Sequence, residues 1–229
     1  MNVGTGIFSL QRDRQDKSGG IPALARNRHS RMTCRPMAPE ISGERIVDMS
    51  DTCASQLGLV HTIYGNGKGK TTAAVGIAVR AAGCGLRVAF IQFMKSHDSH
   101  EVRVLKQLPR VTYFSAGPHG RVRAAKGSSP AQARHAVAGL EFALACRETV
   151  DLMVCDEILN VPLFSPADPP FSHGDIVDLI QSRPAHLELI LTGFACPDAI
   201  TDVADYASVI QEVKHPFKQG IHARAGIEY

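Results

Sequence analysis

The run Gly65-Asn66-Gly67-Lys68-Gly69-Lys70-Thr71 packs three glycines, two lysines and a hydroxyl into a few residues. Glycine tolerates positive φ and close approach, so the backbone N–H groups of such a run can converge on a phosphate. Lys70 then supplies a point charge, Thr71 a hydroxyl for a magnesium ion, and a following helix aims its N-terminus at the anion. The spacing is one residue short of the usual nucleotide loop. The pattern Gly, four free positions, Gly-Lys-Thr asks for glycine where Tyr64 stands. The residues predict triphosphate binding along a loop path, and with a nucleotide pose, that differ from the ordinary ones.

A second constellation is Asp156-Glu157, which ends the otherwise apolar stretch Val150 to Cys155. Carboxylates at the exit of a buried strand lie at the edge where parallel α/β folds bind ligands. If strand geometry persists, the two point to opposite faces and do different work. Asp156 is expected to hold Mg2+ or Mn2+, directly or through water, and Glu157 to contact the nucleotide sugar or the metal.

The elements that would position these groups are legible from Leu59 onward. Apolar stretches at 59–64, 86–93, 111–114, 150–157, 187–193 and 206–213 read as strands, and 70–82, 129–148, 171–181 and 198–204 as helices. Ser129-Pro130 suits a helix start. Apolar strands alternating with helices predict an α/β nucleotide-binding (P-loop) fold, its mainly parallel sheet covered by helices on both faces. Residues 1–57 mix charge, Gly, Pro and Ser without periodicity and read as a mobile tail, in which Met32, Met37 and Met49 are alternative starts. The domain is placed at 58–229.

Composition narrows the function further. A net charge of +3 over 229 residues gives little support to nucleic-acid binding. No apolar run approaches the length of a membrane span, and the first residues lack a secretory pattern. The six cysteines are far apart, with none at metal-ligand spacing, and Cys146 and Cys155 read as buried free thiols, so a reducing cytoplasm is expected. No nucleophile–base pair is apparent. A P-loop ATPase or kinase, and a non-catalytic nucleotide-binding protein, are two functions these residues leave open.

Gly65 to Thr72, Arg80-Ala81-Ala82-Gly83, Gln92-Phe93, Asp156-Glu157, Leu191-Thr192-Gly193 and the tail from Lys214 to Glu228 together resemble the corrinoid adenosyltransferases of the cobalamin pathway. The resemblance covers about residues 58 to 229. It implies a homodimer that binds Mg·ATP and passes the 5′-deoxyadenosyl group to the Co(I) of reduced cobalamin or cobinamide, releasing tripolyphosphate. An electron-donating flavoprotein is the implied partner. By the same resemblance Lys68, Lys70, Thr71 and Thr72 take phosphate and metal roles, Arg80 lies near the nucleotide, and the N-terminal segment folds over the active site. Where many members carry Gly-Phe-x-Trp, this chain has Gly117-Pro118-His119-Gly120, and their Thr-Gly-Arg becomes Thr192-Gly193-Phe194. Phe194, Phe114, or a histidine among His97, His100 and His119 is then the candidate to replace the missing aromatic. Phe194 reads equally as a packed core residue.

Overall fold

The computed structural model describes residues 56–95, 99–115, 130–164 and 169–228. The tail up to residue 55, the Gly117–Gly120 segment and His97 lie outside the described residues. Six strands form the sheet: β1 Val60–Tyr64, β2 Val88–Gln92, β3 Val111–Ser115, β4 Leu152–Asp156, β5 Glu188–Gly193 and β6 Tyr206–Val209. Their order is β3-β2-β4-β5-β1-β6, and every neighbouring pair is parallel. The helices are α1 Lys70–Gly83, α2 His100–Leu105, α3 Pro130–Cys146, α4 Val161–Phe164, α5 His173–Gln181 and α6 Asp198–Thr201.

Burial explains why these stretches become strands. Every residue of β2 and of β4 is buried, which a sheet covered on both faces requires. The alternation along the strands divides the core in two. Ile63, Val88, Phe90, Leu152, Val154 and Ile190 pack with Ala74, Ala78 and Ala81 of α1 and Leu105 of α2. Ala89, Ile91, Met153, Cys155, Leu189 and Leu191 pack on the opposite face with Ala136 and Ala143 of α3 and Ile176, Leu179 and Ile180 of α5. The alanines of α1 repeat at helical spacing, so the helix lies close over the sheet with its N-terminus at the strand ends. Cys155 is buried and free, and Cys146 is half-buried and free.

Three of the differences from the sequence reading have a clear physical reason. The strand at 206–213 stops at Val209, because the chain beyond it turns to brace the glycine run of residues 65–69: Gly67 N donates to Ile210 O at 2.8 Å and Glu212 N to Asn66 Oδ1 at 2.9 Å. The helix at 171–181 starts at His173, where Ser172 and Asp175 form a reciprocal capping box. Helix α2 was not anticipated; its six residues are too few to establish a period.

Parallel pairing has one consequence for function. The C-terminal ends of all six strands, at Tyr64, Gln92, Ser115, Asp156, Gly193 and Val209, share one edge. β5 lies between β1, which leads into the glycine run, and β4, which ends in the carboxylates.

Candidate functional site at the C-terminal sheet edge

The glycine run leaves β1 by a sharp turn. Gly65 and Gly69 both have φ of 121°, a region closed to most side chains. Gly67 has no room for one: a Cβ there would sit 2.8 Å from Gln211 C and 2.9 Å from Ile210 O. The loop is thus held against the chain that follows β6, and Gly65 N donates to Phe194 O at 3.1 Å. Helix α1 begins at Lys70 with no side-chain cap and no acidic residue in its first turn. Its first amides and the positive end of its dipole therefore face outward at the strand ends.

Lys70 folds back over the loop, its Nζ donating to Gly65 O at 2.8 Å and Gly67 O at 2.9 Å. Burial pushes its pKa down, and Lys95 nearby adds to this, against the opposite pull of Glu157 and Asp156. Thr71 Oγ1 donates to Asp156 Oδ1 at 3.0 Å. The Asp156 carboxylate is fully buried. It also accepts from Thr192 Oγ1 at 2.7 Å, Gln92 Nε2 at 3.3 Å and Lys95 Nζ at 2.7 Å. Thr192 comes from β5, so the intervening strand links β4 to the loop side of the sheet.

Asp156 and Glu157 do not point to opposite faces. The strand ends at Asp156, and Glu157 turns into the left-handed region with φ of 67°. Its amide donates to Thr192 Oγ1 at 2.8 Å, and its side chain accepts from Asn160. The two carboxylates converge on one cation, Lys95, whose Nζ lies 2.7 Å from Asp156 Oδ2 and 3.9 Å from Glu157 Oε1. Burial and the Asp156 charge raise the Glu157 pKa against the pull of Lys95. Burial alone would depress Lys95, but Asp156 and Glu157 hold its ammonium above the ordinary lysine range.

These donors suit a hard cation. Thr71, Asp156 and Glu157 offer oxygen only, the chemistry Mg2+ prefers, and the space between them already stabilises the positive Lys95. Among the described residues no three His, Cys, Asp or Glu side chains gather into a metal cluster. An ion at this point would take its remaining ligands from phosphates and water, as Mg2+ usually does.

The structure brings together Gly65, Gly67, Gly69, Lys70, Thr71, Asp156 and Glu157. Other expected residues stand apart. Asn66 is used in bracing the loop, and Thr72 is exposed. Lys68 points outward and pairs with Glu228 of the C-terminal tail at 2.9 Å. Arg80 is exposed in the last turn of α1, roughly 15 Å along the helix axis from Lys70 at 1.5 Å per residue. Phe194 is 61% exposed, so the packed-core reading does not hold. It lies just beyond β5, with its amide bonded to Asn160 Oδ1 at 2.6 Å. Phe114 is instead stacked on Phe142, with ring centroids 4.4 Å apart.

Lys95, Thr192, Gln92 and Asn160 were not among the expected site residues. Lys95, Gln92 and Thr192 stand at or just beyond the ends of β2 and β5, which flank β4. A polar residue closing an apolar strand next to the acidic strand was the available signal.

Comparison with known proteins is consistent along most of the chain. Residues 56–229 match the family model described as ATP:corrinoid adenosyltransferase BtuR/CobO/CobP. The corrinoid adenosyltransferase CobA of Salmonella typhimurium is 30% identical over 202 residues, covering 81% of this chain and 95% of that protein. A corrinoid adenosyltransferase of Escherichia coli is 32% identical over 183 residues, covering 75% of this chain and 86% of that protein. One from Pseudomonas aeruginosa is 32% identical over 178 residues, covering 75% and 82%.

Proposed function

Because this chain belongs to the ATP:corrinoid adenosyltransferase BtuR/CobO/CobP family, it is an enzyme that transfers the 5′-deoxyadenosyl group of ATP to a corrinoid, and we propose that the glycine loop, α1 and the Asp156–Glu157 pair form its Mg·ATP site. The observation that carries this site assignment is the meeting of Lys70, Thr71 and Asp156 at one end of the sheet. The reading makes residues 65–72 a P-loop.

In this site the loop amides, Lys70 and the uncapped start of α1 bind the polyphosphate and neutralise the charge that grows on it. Thr71, Asp156 and Glu157 would hold Mg2+, which supplies further neutralisation when bound. Thr192 and Gln92 fix the Asp156 carboxylate, and Asn160 fixes Glu157. The substrate corrinoid brings its own nucleophile. The electron pair of its Co(I) attacks the 5′ carbon, a cobalt–carbon bond forms, and the carbon–oxygen bond breaks with its electrons leaving on tripolyphosphate. No proton moves at the reacting carbon, so the residues need supply only position and charge. That agrees with a site built from cations, hydroxyls and carboxylates.

Phe194 is the residue we assign to the corrinoid side, since it is exposed at the same sheet edge as Asp156. Homodimer formation, a flavoprotein electron donor and a cytoplasmic setting rest on the family alone. Among the described residues no helix is long and apolar enough to cross a membrane.

The decisive experiment identifies the products. Cob(I)alamin generated under strong reduction, mixed with Mg·ATP and protein, is expected to give a light-sensitive alkylcobalamin and tripolyphosphate. Phosphorus NMR showing ADP with free phosphate would instead identify an ordinary phosphoryl transferase.

A further inference from the structure

Lys95 is the least expected group in the site. It approaches three of the site's oxygens at once: Thr71 Oγ1 at 2.5 Å, Asp156 Oδ2 at 2.7 Å and Glu157 Oε1 at 3.9 Å. These are the residues to which we assign the metal. Its side chain is only 25% exposed, so it is not a solvated lysine that happens to lie near a carboxylate. Asp156 has no access to solvent at all, and a carboxylate in that position is costly unless it is paired. The other groups around it, Thr71, Thr192 and Gln92, are neutral.

We propose that Lys95 is a tethered counter-ion: its ammonium occupies the cation position of the ligand-free enzyme, and the divalent ion that enters with ATP displaces it. This inference rests on Asp156 and Thr71 being the metal site. Two cations do not share a position between the same oxygens. An ion bound to Thr71 and Asp156 must therefore break both short Lys95 contacts. The arrangement has a thermodynamic signature. The apparent affinity of a ligand is reduced by the fraction of protein already in a competing state. Lys95 thus weakens metal binding in the absence of nucleotide and stabilises the empty site. Lys95 is in this sense a positioning residue, acting through Asp156 and Thr71.

The test reads metal binding and stability, with Mn2+ as the probe. Electron paramagnetic resonance is used to titrate free Mn2+ against the wild type, Lys95→Met and Asp156→Asn, without ATP. Lys95→Met is expected to bind Mn2+ about tenfold more tightly than the wild type, as for a competitor that occupies the position ~90% of the time. Its melting temperature is expected to fall without metal and to recover by more than the wild type's in Mn2+. Equal Mn2+ affinity in Lys95→Met and the wild type would overturn the proposal, even if stability falls. Should Lys95→Met not fold, Lys95→Gln, which keeps hydrogen bonding without charge, carries the same readout. Asp156→Asn tests the underlying site separately. If it binds Mn2+ as well as the wild type does, the metal assignment itself fails.

Discussion

Gly67 donates its amide to the carbonyl of Ile210 at 2.8 Å, joining the middle of the glycine loop to the chain that leaves the last strand. The same two segments are also joined through Asn66 and Glu212. The loop's shape is therefore set by a distant stretch of sequence as well as by its own glycines. Gly67→Ala places a methyl group 2.8 Å from Gln211 C and 2.9 Å from Ile210 O, both backbone atoms that cannot rotate away. We expect a stability loss of about 1–3 kcal/mol by overpacking, with loss of ATP binding. Gly69→Ala meets no atom within 4 Å but is held at φ 121°, so its cost is strain alone. Melting temperature and calorimetric ATP titration of the two variants check this. A Gly67→Ala protein with normal ATP affinity would remove the loop's bracing from the account.

Lys70→Ala tests the loop's charge. The side chain donates to Gly65 O and Gly67 O and is assigned to the phosphates of bound ATP. A hydrogen bond to a charged group contributes about 1.5–3 kcal/mol, so ATP affinity should drop roughly 10- to 100-fold. The fold should persist, because the core under α1 is made by Ala74, Ala78 and Ala81. Near-normal ATP affinity in a folded variant would end the assignment of Lys70.

What the sequence disclosed and what it concealed follow from range. The loop, α1 and the strands carry local signals: glycine spacing, apolar runs, and carboxylates closing an apolar stretch. The convergence of Asp156 and Glu157 did not, because it depends on Glu157 leaving the strand with φ of 67° and on Thr192 receiving its amide. A polar residue just beyond an apolar strand marked Lys95 in the sequence, but not its role. Its role arises only because β2 pairs with β4 in the register Gln92 to Asp156, which brings the residues beyond both strand ends together. The early end of β6 has the same origin, in tertiary bonds to the loop that no period of side chains reveals.

A pH dependence of stability is expected from the opposite end of β5. Glu188 accepts from Gly58 N at 2.9 Å, Leu59 N at 2.8 Å and His61 Nε2 at 2.5 Å, anchoring the start of β1. Burial alone would raise its pKa, but the His61 ring and the two amides bring it below the ordinary glutamate value of 4.5. A depressed folded value means the unfolded chain takes up the proton first. The stabilisation is present above about pH 4.5 and is lost as the pH falls through the folded value. Glu188→Gln should lower stability at pH 7 by about 1.5–3 kcal/mol, the worth of hydrogen bonds to a charged group, and flatten the acid limb below pH ~4.5. Denaturant unfolding at pH 7, 5 and 4 measures both. An acid limb of unchanged steepness in the variant would assign it to other carboxylates.

Phe194 separates packing from recognition more sharply than any other residue near the site. Its backbone is fixed, with the amide on Asn160 Oδ1 and the carbonyl accepting from Gly65 N, yet its ring is 61% exposed. A fully packed phenylalanine truncated to alanine costs about 3–5 kcal/mol, whereas a ring this exposed has little burial to lose and should cost about 0.5 kcal/mol or less. An exposed aromatic on a hydrogen-bonded backbone at the C-terminal sheet edge, beside the strand that carries Asp156, would suit a large planar ligand. Losing such a contact, at about 0.5–1.5 kcal/mol, corresponds to a rise of roughly 2- to 10-fold in corrinoid KM. The KM for ATP should stay where it is, since the phosphate groups are assigned to Lys70 and the loop amides. Steady-state kinetics against each substrate, with melting temperature alongside, distinguish the outcomes. A large drop in melting temperature with unchanged corrinoid KM would return Phe194 to the core, and a rise in the ATP KM alone would move it to the nucleotide side.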